Sequence, residues 1–235
     1  MNPLILNIDT SLEIAFVSIF EGTRELLTAF NPKEADHASW IHVAIEQLLK
    51  DRGLTVGDLH AVAVTIGPGS YTGLRIGLAT AKGLCFALGI PLVTVNTLEA
   101  MAKSASMEID ALPAEQKDVL ICPMIDARRM EVYTALYSSD LQVVSPPAAT
   151  VLTGELFSTY LERQKILFLG NGTRKFSDIC TSQNAIFQSL SLKPRAMAQL
   201  TYDNFIGNNF AELAYTEPLY LKEFFSNPPN REQNQ

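Results

Sequence analysis

Two short apolar runs, each closed by an aspartate, set the plan of this chain. Leu4-Ile5-Leu6-Asn7-Ile8-Asp9-Thr10-Ser11 reads as a buried strand ending in Asp and a polar turn, and residues 14–20 follow with the alternation of a return strand. About half a chain later the plan recurs. Val119 to Ile125 is apolar, Asp126 closes the run, and Val132 to Tyr137 reads as its antiparallel partner. Each unit is a strand, an Asp at its tip and a hairpin, so the pattern predicts an α/β protein of two related lobes.

The segments between these units carry further signals. A helix is predicted over Ala38 to Lys50, with Ile41, Ile45, Leu48 and Leu49 on its apolar face and Gly53 just past its end. Ala61 to Ile66 is an apolar, β-branched strand that runs into Gly67-Pro68-Gly69-Ser70-Tyr71-Thr72-Gly73 and then a helix, and Leu92 to Val95 follows as a short strand. Ser104 to Asp118, acidic and containing Pro113, reads as the connection between lobes. The second half shows a strand at Ile166 to Leu169, the turn Gly170-Asn171-Gly172, and helices near Leu152 to Arg163 and Met197 to Asn208. Residues 226–235 are polar and Pro-containing and are expected to be disordered. The expected boundaries are 1–104 for the first lobe, 105–225 for the second and 226–235 for the tail.

The glycine turn sits where a strand hands over to a helix, which is where α/β proteins bind anions. Two nucleotide motifs can be tested there. A P-loop needs Lys and Ser or Thr directly after its last glycine, and here Gly73 is followed by Leu74. The dinucleotide fingerprint fails too, because Gly67, Gly69 and Gly73 space as G-x-G-x-x-x-G and the region just beyond Leu84 offers no carboxylate for a ribose. A structural turn is favoured over a phosphate cradle. The helix behind it carries Gly73, Gly77, Ala81 and Cys85 at four-residue steps, a stripe that admits another backbone closely. Leu74, Ile76, Leu78, Leu84, Phe86 and Leu88 make the rest apolar, so the helix is expected to be covered on two sides. Either its own sheet and a neighbouring helix cover both, or a partner protein supplies the second cover.

Composition narrows the class. The chain has 235 residues, 47% hydrophobic and 18% charged, enough to bury one large core or two modest ones. It has no apolar run of membrane-spanning length and no basic leader before its first strand, which predicts a cytoplasmic protein without membrane attachment. Cys85, Cys122 and Cys180 are odd in number, far apart and set among apolar residues, so they read as reduced core residues. A net charge of −7 argues against strong nucleic-acid binding by this chain alone.

Ile8-Asp9-Thr10-Ser11, the segment Gly67 to Gly83, Ile125-Asp126-Ala127-Arg128 through Glu131-Val132-Tyr133, the Gly-Asn-Gly turn and Glu217-Pro218-Leu219-Tyr220-Leu221 together resemble, in order and spacing, the TsaB (YeaZ) family. The resemblance spans nearly the whole chain. It implies the actin-like ASKHA fold, ribonuclease H-like in each of two related lobes. It also implies a part in forming N6-threonylcarbamoyladenosine at position 37 of tRNAs that read codons beginning with A. One departure is Met130, where the family often has Gly, so the second hairpin is expected to turn without a positive φ.

What the resemblance implies further is a non-catalytic subunit. It would pair with the transferase TsaD through the helices after His37 and after Gly69, form a homodimer when alone, work with the ATPase TsaE, and meet tRNA only through the complex. No cofactor or metal of its own is implied; a nucleotide, if bound, would lie at the joint surface with TsaD. The expected interface is Thr72, Gly73, Arg75, Ile76, Gly77, Thr80, Ala81 and Leu84. TsaD resembles this chain through the glycine turn and then carries a His-x-x-x-His metal pair. Here Thr97 and Met101 stand at those places, and neither side chain replaces an imidazole for such an ion.

Other candidate residues have plainer readings. Asp9 could hold a magnesium-bound water as in actin-like ATPases, but Thr10 and Ser11 follow it where a phosphate would need glycine, which favours a structural Asp turn. Asp126 with Arg128 and Arg129 could be an anion site, and an Asp paired to a nearby Arg is the favoured reading. His37 is expected to cap or pack. His37 and His42 lie five apart on one helix and cannot share a metal. Ser70 has no His and acidic partner in sequence. The rival classes are an actin-like ATPase or M22-type metallopeptidase-like enzyme, and a general interaction module.

Overall fold

The apolar runs separate into two faces as soon as the strands form. In the computed structural model, which describes residues 2–31, 33, 36–109 and 118–222, the first lobe contains β1 (Leu4–Asp9), β2 (Ala15–Glu21), β3 (Arg24–Asn31), α1 (His37–Asp51), β4 (Ala61–Gly67), α2 (Tyr71–Leu88), β5 (Leu92–Asn96) and α3 (Thr97–Ile109). Its sheet runs β3-β2-β1-β4-β5, with β1 antiparallel to β2 and parallel to β4. The second contains β6 (Val119–Asp126), β7 (Glu131–Tyr137), β8 (Val143–Val151), α4 (Ser158–Leu161), β9 (Lys165–Leu169), α5 (Thr173–Ser177), β10 (Ala185–Gln188) and α6 (Pro194–Ile206). Its order is β8-β7-β6-β9-β10, the same plan strand for strand. This is the expected two-lobed, actin-like ASKHA architecture. Among the described residues no helix is long and apolar enough to cross a membrane.

Alternation along the strands builds three cores. Ile5, Ala61, Ala63, Val93 and Val95 from the first sheet meet Ile121, Ile125, Ala135, Leu167 and Leu169 from the second, with Leu98, Met101 and Ala105 of α3 and Met197 of α6 in the same cluster. Leu4, Leu6, Ile8, Val62 and Val64 point the other way, onto α1 and α2. Leu120, Cys122, Met124, Ile166 and Phe168 form the outer face of the second sheet. Helix α6 crosses back to the first lobe, where Thr201 Oγ1 donates to Asn7 Oδ1 at 2.8 Å.

Several expectations need correction. The helix near Leu152 to Arg163 shrinks to the single turn α4, and aromatic rings fill the space beside it: Phe157, Phe168, Phe176 and Phe187 meet at centroid distances of 5.0–6.1 Å. The connection starting at Ser104 begins inside α3, because Ala105 and Ile109 bury their side chains and Ser104 Oγ receives the Lys193 amide at 2.9 Å. Residues 110–117 of that connection and the tail 226–235 lie outside the described residues. Cys85 and Cys122 are buried thiols whose ionisation burial pushes up to about 11 and about 12, whereas Cys180 is only half-buried.

Candidate functional site

The glycine turn and the tip of β1 are pressed into one another. Thr10 Oγ1 donates to the Gly73 carbonyl at 2.6 Å, and the Ser70 amide donates to the Ser11 carbonyl at 2.8 Å. A Cβ would stand 2.3 Å from the Ser11 oxygen at Gly69, 1.9 Å from the Thr10 oxygen at Gly73 and 2.3 Å from Thr10 Oγ1 at Gly77. Contacts that short are forbidden, so these glycines exist to let α2 approach its own sheet. Ser70 caps the helix by accepting the Gly73 amide at 3.3 Å.

Asp9 is spent in the same knot. Its Oδ1 accepts the Ser11 amide at 3.1 Å, Ser11 Oγ at 2.6 Å and Thr65 Oγ1 at 2.6 Å, while Oδ2 has no partner among the described residues. Burial pushes its carboxyl above the ordinary range, against the lowering effect of Ser11 and Thr65. Asp9 does not line the cleft between the lobes. At the glycine turn the Ser70 amide is taken by the Ser11 carbonyl, so this N–H is engaged within the chain.

The cleft itself has a volume of about 950 Å³ and is walled by Ser70, Tyr71, Asp126, Arg128, Arg129, Asn171, Lys175 and residues 219–222. At its second-lobe wall the Asp126 amide donates to Asn171 Oδ1 at 2.8 Å. The Asp126 carboxylate accepts the Arg128 amide and Lys175 Nζ, both at 2.6 Å. Asp126 therefore pairs with a lysine from α5, not with the neighbouring arginines. Partial burial raises its pKa, but the Lys175 hydrogen bond, the Arg128 amide and the Lys175 charge outweigh this and hold it below the ordinary value. The hairpin after it turns through positive φ at Arg128 (67°) and Arg129 (49°), contrary to expectation, because a tight hairpin matching the strand twist needs left-handed residues whatever stands at Met130.

Outside the cleft, α2 shows a second stripe. Of the expected interface residues, Thr72 and Arg75 are exposed and Ile76 and Leu84 half-buried, while Gly73, Gly77, Thr80 and Ala81 are buried within the chain's own first lobe. The outward line is Thr72, Ile76, Ala79, Gly83 and Phe86, at steps of four, three, four and three residues, of which Ile76 is half-buried; Phe86 is 82% exposed and a Cβ at Gly83 would meet nothing. That spacing is the seam of one helix packing along another. Ala79, Gly83 and Phe86 are not among the expected interface residues, and Phe86 enters the sequence analysis only as part of the apolar surface, although their 3.5-residue repeat is written in the sequence. Beside this stripe α1 exposes Val43, and a groove of about 520 Å³ runs between α1, residues 53–56 and Leu84.

Thr97 and Met101, the positions compared with a histidine pair in the sequence analysis, are both buried. Thr97 opens α3 with its hydroxyl unpartnered among the described residues, and the Met101 methyl stands 2.5 Å from where a Gly170 Cβ would be. His37 is buried beside Asn31 at 3.3 Å and His42 is exposed. Among the described residues no three His, Cys, Asp or Glu side chains gather as a metal site would require.

A protein-family model described as "TsaD: tRNA N6-adenosine threonylcarbamoyltransferase" matches residues 30–214. The chain is 33% identical to the tRNA threonylcarbamoyladenosine biosynthesis protein TsaB of Bacillus subtilis over 72% of its length and 71% of that protein. It is 28% identical to the Escherichia coli protein of that name, over 93% and 94%. Among solved structures, YeaZ from Pseudomonas aeruginosa superposes with a TM-score of 0.77 at 24% identity, covering 93% of this chain and all of that one. The ethanolamine utilization protein EutJ of Carboxydothermus hydrogenoformans reaches 0.50 at 10% identity, a likeness of fold alone.

Proposed function

The chain belongs to the TsaB family of tRNA threonylcarbamoyladenosine biosynthesis proteins, and we propose that it serves that pathway as the non-catalytic partner of a TsaD-type transferase. The observation that carries this reading is the outward seam on α2 of exposed Thr72, Ala79, Gly83 and Phe86 with half-buried Ile76. A phenyl group left 82% in water at the end of a small-residue line is suited to burial against a partner helix. In this reading α1 and α2 pack on the corresponding helices of TsaD, or on a second copy of the chain when TsaD is absent. The chain holds the transferase in its working shape in the cytoplasm and gives TsaE and the tRNA a surface on which to assemble. The turn knotted around Asp9 and the side chains Thr97 and Met101 support a supporting rather than a catalytic role.

The test is threonylcarbamoyl transfer to unmodified tRNA by cognate TsaD, TsaE and the adenylate-forming enzyme. It compares the wild-type chain, no chain, and Ala79→Arg, with association followed in parallel by sedimentation. Ala79 is chosen because a large residue at the buried Ala81 would strike the chain's own sheet. The reading requires modification to fall at least tenfold without the chain, and association with TsaD to be lost in the variant. Undiminished modification without the chain would sink it.

A further inference from the structure

After α6 the chain runs back along α2 and then across to the second lobe, anchored at each stage. The Ala211 amide bonds to the Leu92 carbonyl at 2.8 Å. Lys82 of α2 donates through Nζ to the carbonyls of Thr216 at 3.1 Å and Ala214 at 3.4 Å. The Leu219 amide donates to the Ile66 carbonyl at 2.7 Å, and the Leu219 carbonyl lies where a Cβ on Gly67 would fall, 2.7 Å away. Tyr220 then packs on Tyr71 with ring centroids 5.4 Å apart and accepts Arg75 Nε at 3.0 Å, while the Arg75 guanidinium covers Tyr71 at 4.0 Å. Two residues on, Lys222 pairs with Glu131, the first residue of β7, and lies 6.0 Å from the Tyr133 ring centroid.

We propose that residues 212–222 form a latch between α2 and the β6–β7 hairpin, so that whatever engages Arg75 on the outer side of α2 changes how firmly the second lobe's cleft wall is held. Three features favour a latch over an inert tail. It holds both lobes, and its last four residues line the cleft. Its grip on the second lobe is a half-exposed ion pair, which opens easily. Its grip on α2 uses Arg75, an exposed side chain one turn from Thr72 and next to Ile76 on the seam, so an occupant of that seam competes directly with Tyr220 for the guanidinium. The latch thus has two arrangements, Arg75 on Tyr220 or Arg75 on the occupant, and both ends bias the same element. The identity of the occupant rests on the reading of α2 as a partner surface; the mechanical link does not.

The experiment is amide hydrogen exchange of the hairpin, followed at Ala127 and Glu131, whose amides bond to the Glu131 and Arg128 carbonyls within the turn. Wild type is compared with Arg75→Ala, Lys222→Ala, the double variant, and Glu25→Ala as an exposed position on β3 outside the latch, the seam and the cleft. Circular dichroism checks that each is folded. Arg75→Ala and Lys222→Ala are each expected to speed exchange about three- to tenfold, the double variant no more than Lys222→Ala alone, and Glu25→Ala not at all. If Lys222→Ala leaves the hairpin unchanged there is no latch, and if only Arg75→Ala fails to act there is no transmission. A second arm adds TsaD. Hairpin exchange should respond in wild type and not in Lys222→Ala; binding without that response overturns the coupling. Failure of TsaD to bind at all would count against the proposed function and leave the first arm to decide the latch.

Discussion

The two lobes share one strand order and one connection plan, yet the helices attached to them diverge by face. Helices α3 and α6, which contribute to the core between the sheets, are each 13 residues long. The outward helices of the first lobe, α1 and α2, have 15 and 18 residues; their counterparts α4 and α5 have 4 and 5. A helix held between two sheets must fit both, so its length is fixed twice over, whereas an outer helix answers only to its own sheet and to whatever lies beyond. The second lobe covers its outer face with phenyl rings and short turns. The first lobe covers it with long helices that leave a further line of side chains facing outward, and that is the face on which the proposed partner surface rests.

The same contrast holds at the strand tips. Asp9 and Asp126 occupy equivalent ends of β1 and β6, but one is buried in hydroxyl and amide bonds and the other faces the cleft beside a lysine. Burial lifts the first carboxyl above the ordinary range; Lys175 and the Arg128 amide bring the second below it. One topological position thus gives two opposite titrations.

The comparison can be broken most forcibly at the ring cluster. Phe168→Ala should cost about 4 kcal/mol in urea unfolding, against about 3 for Leu78→Ala in the first lobe, since the short helices of the second lobe can close little of the void. Next comes Gly73→Ala, whose methyl would collide with the Thr10 carbonyl; about 2–3 kcal/mol is expected, with the loss centred on α2 in hydrogen exchange. At the hairpin the sign reverses. Arg129→Gly should stabilise the chain by about 1 kcal/mol, because a side chain at φ 49° is strained and glycine is not. The smallest effects are slopes with pH. A folded-state pKa raised at Asp9 means the folded protein keeps its proton longer, so stability declines as pH rises from the ordinary carboxylate value toward the raised one, and Asp9→Asn should flatten that decline. A lowered pKa at Asp126 gives stability present above the ordinary value and lost as pH falls through the lowered one. With Asp126 partly in water, Asp126→Asn should shift this by no more than about 0.5 kcal/mol. Urea midpoints from pH 3 to 8 would separate the two slopes.

How far these features could be read in the sequence depended on whether their cause was local. The strands ending at Asp9 and Asp126, and the glycine turn, were legible because a continuous apolar run and a glycine cluster signal themselves. The stripe Gly73, Gly77, Ala81 and Cys85 was rightly assigned to close packing, but a helix apolar nearly all round does not say which side its own sheet takes. The edge strands β3 and β8 went unread, since RELLTAFN and VVSPPAATV lack the alternation of a half-buried strand. Helix α3 was partly mistaken for a connection because its sequence is rich in small and polar residues that only a two-sided interface buries. The partner of Asp126 sits 49 residues away on a five-residue helix, and no spacing rule reaches it.

The hydrogen bond from Thr201 to Asn7 joins residues 194 apart, at the first strand and the last helix. On the ribosome, then, the lobe that is made first is finished last. Its sheet and outer helices can assemble early, but the polar group at Asn7 and the face that α6 covers stay open until the second lobe and α6 have emerged. A pause in translation after β10 would leave a nascent chain with an unsealed sheet, and that interval is when a chaperone would have most to hold.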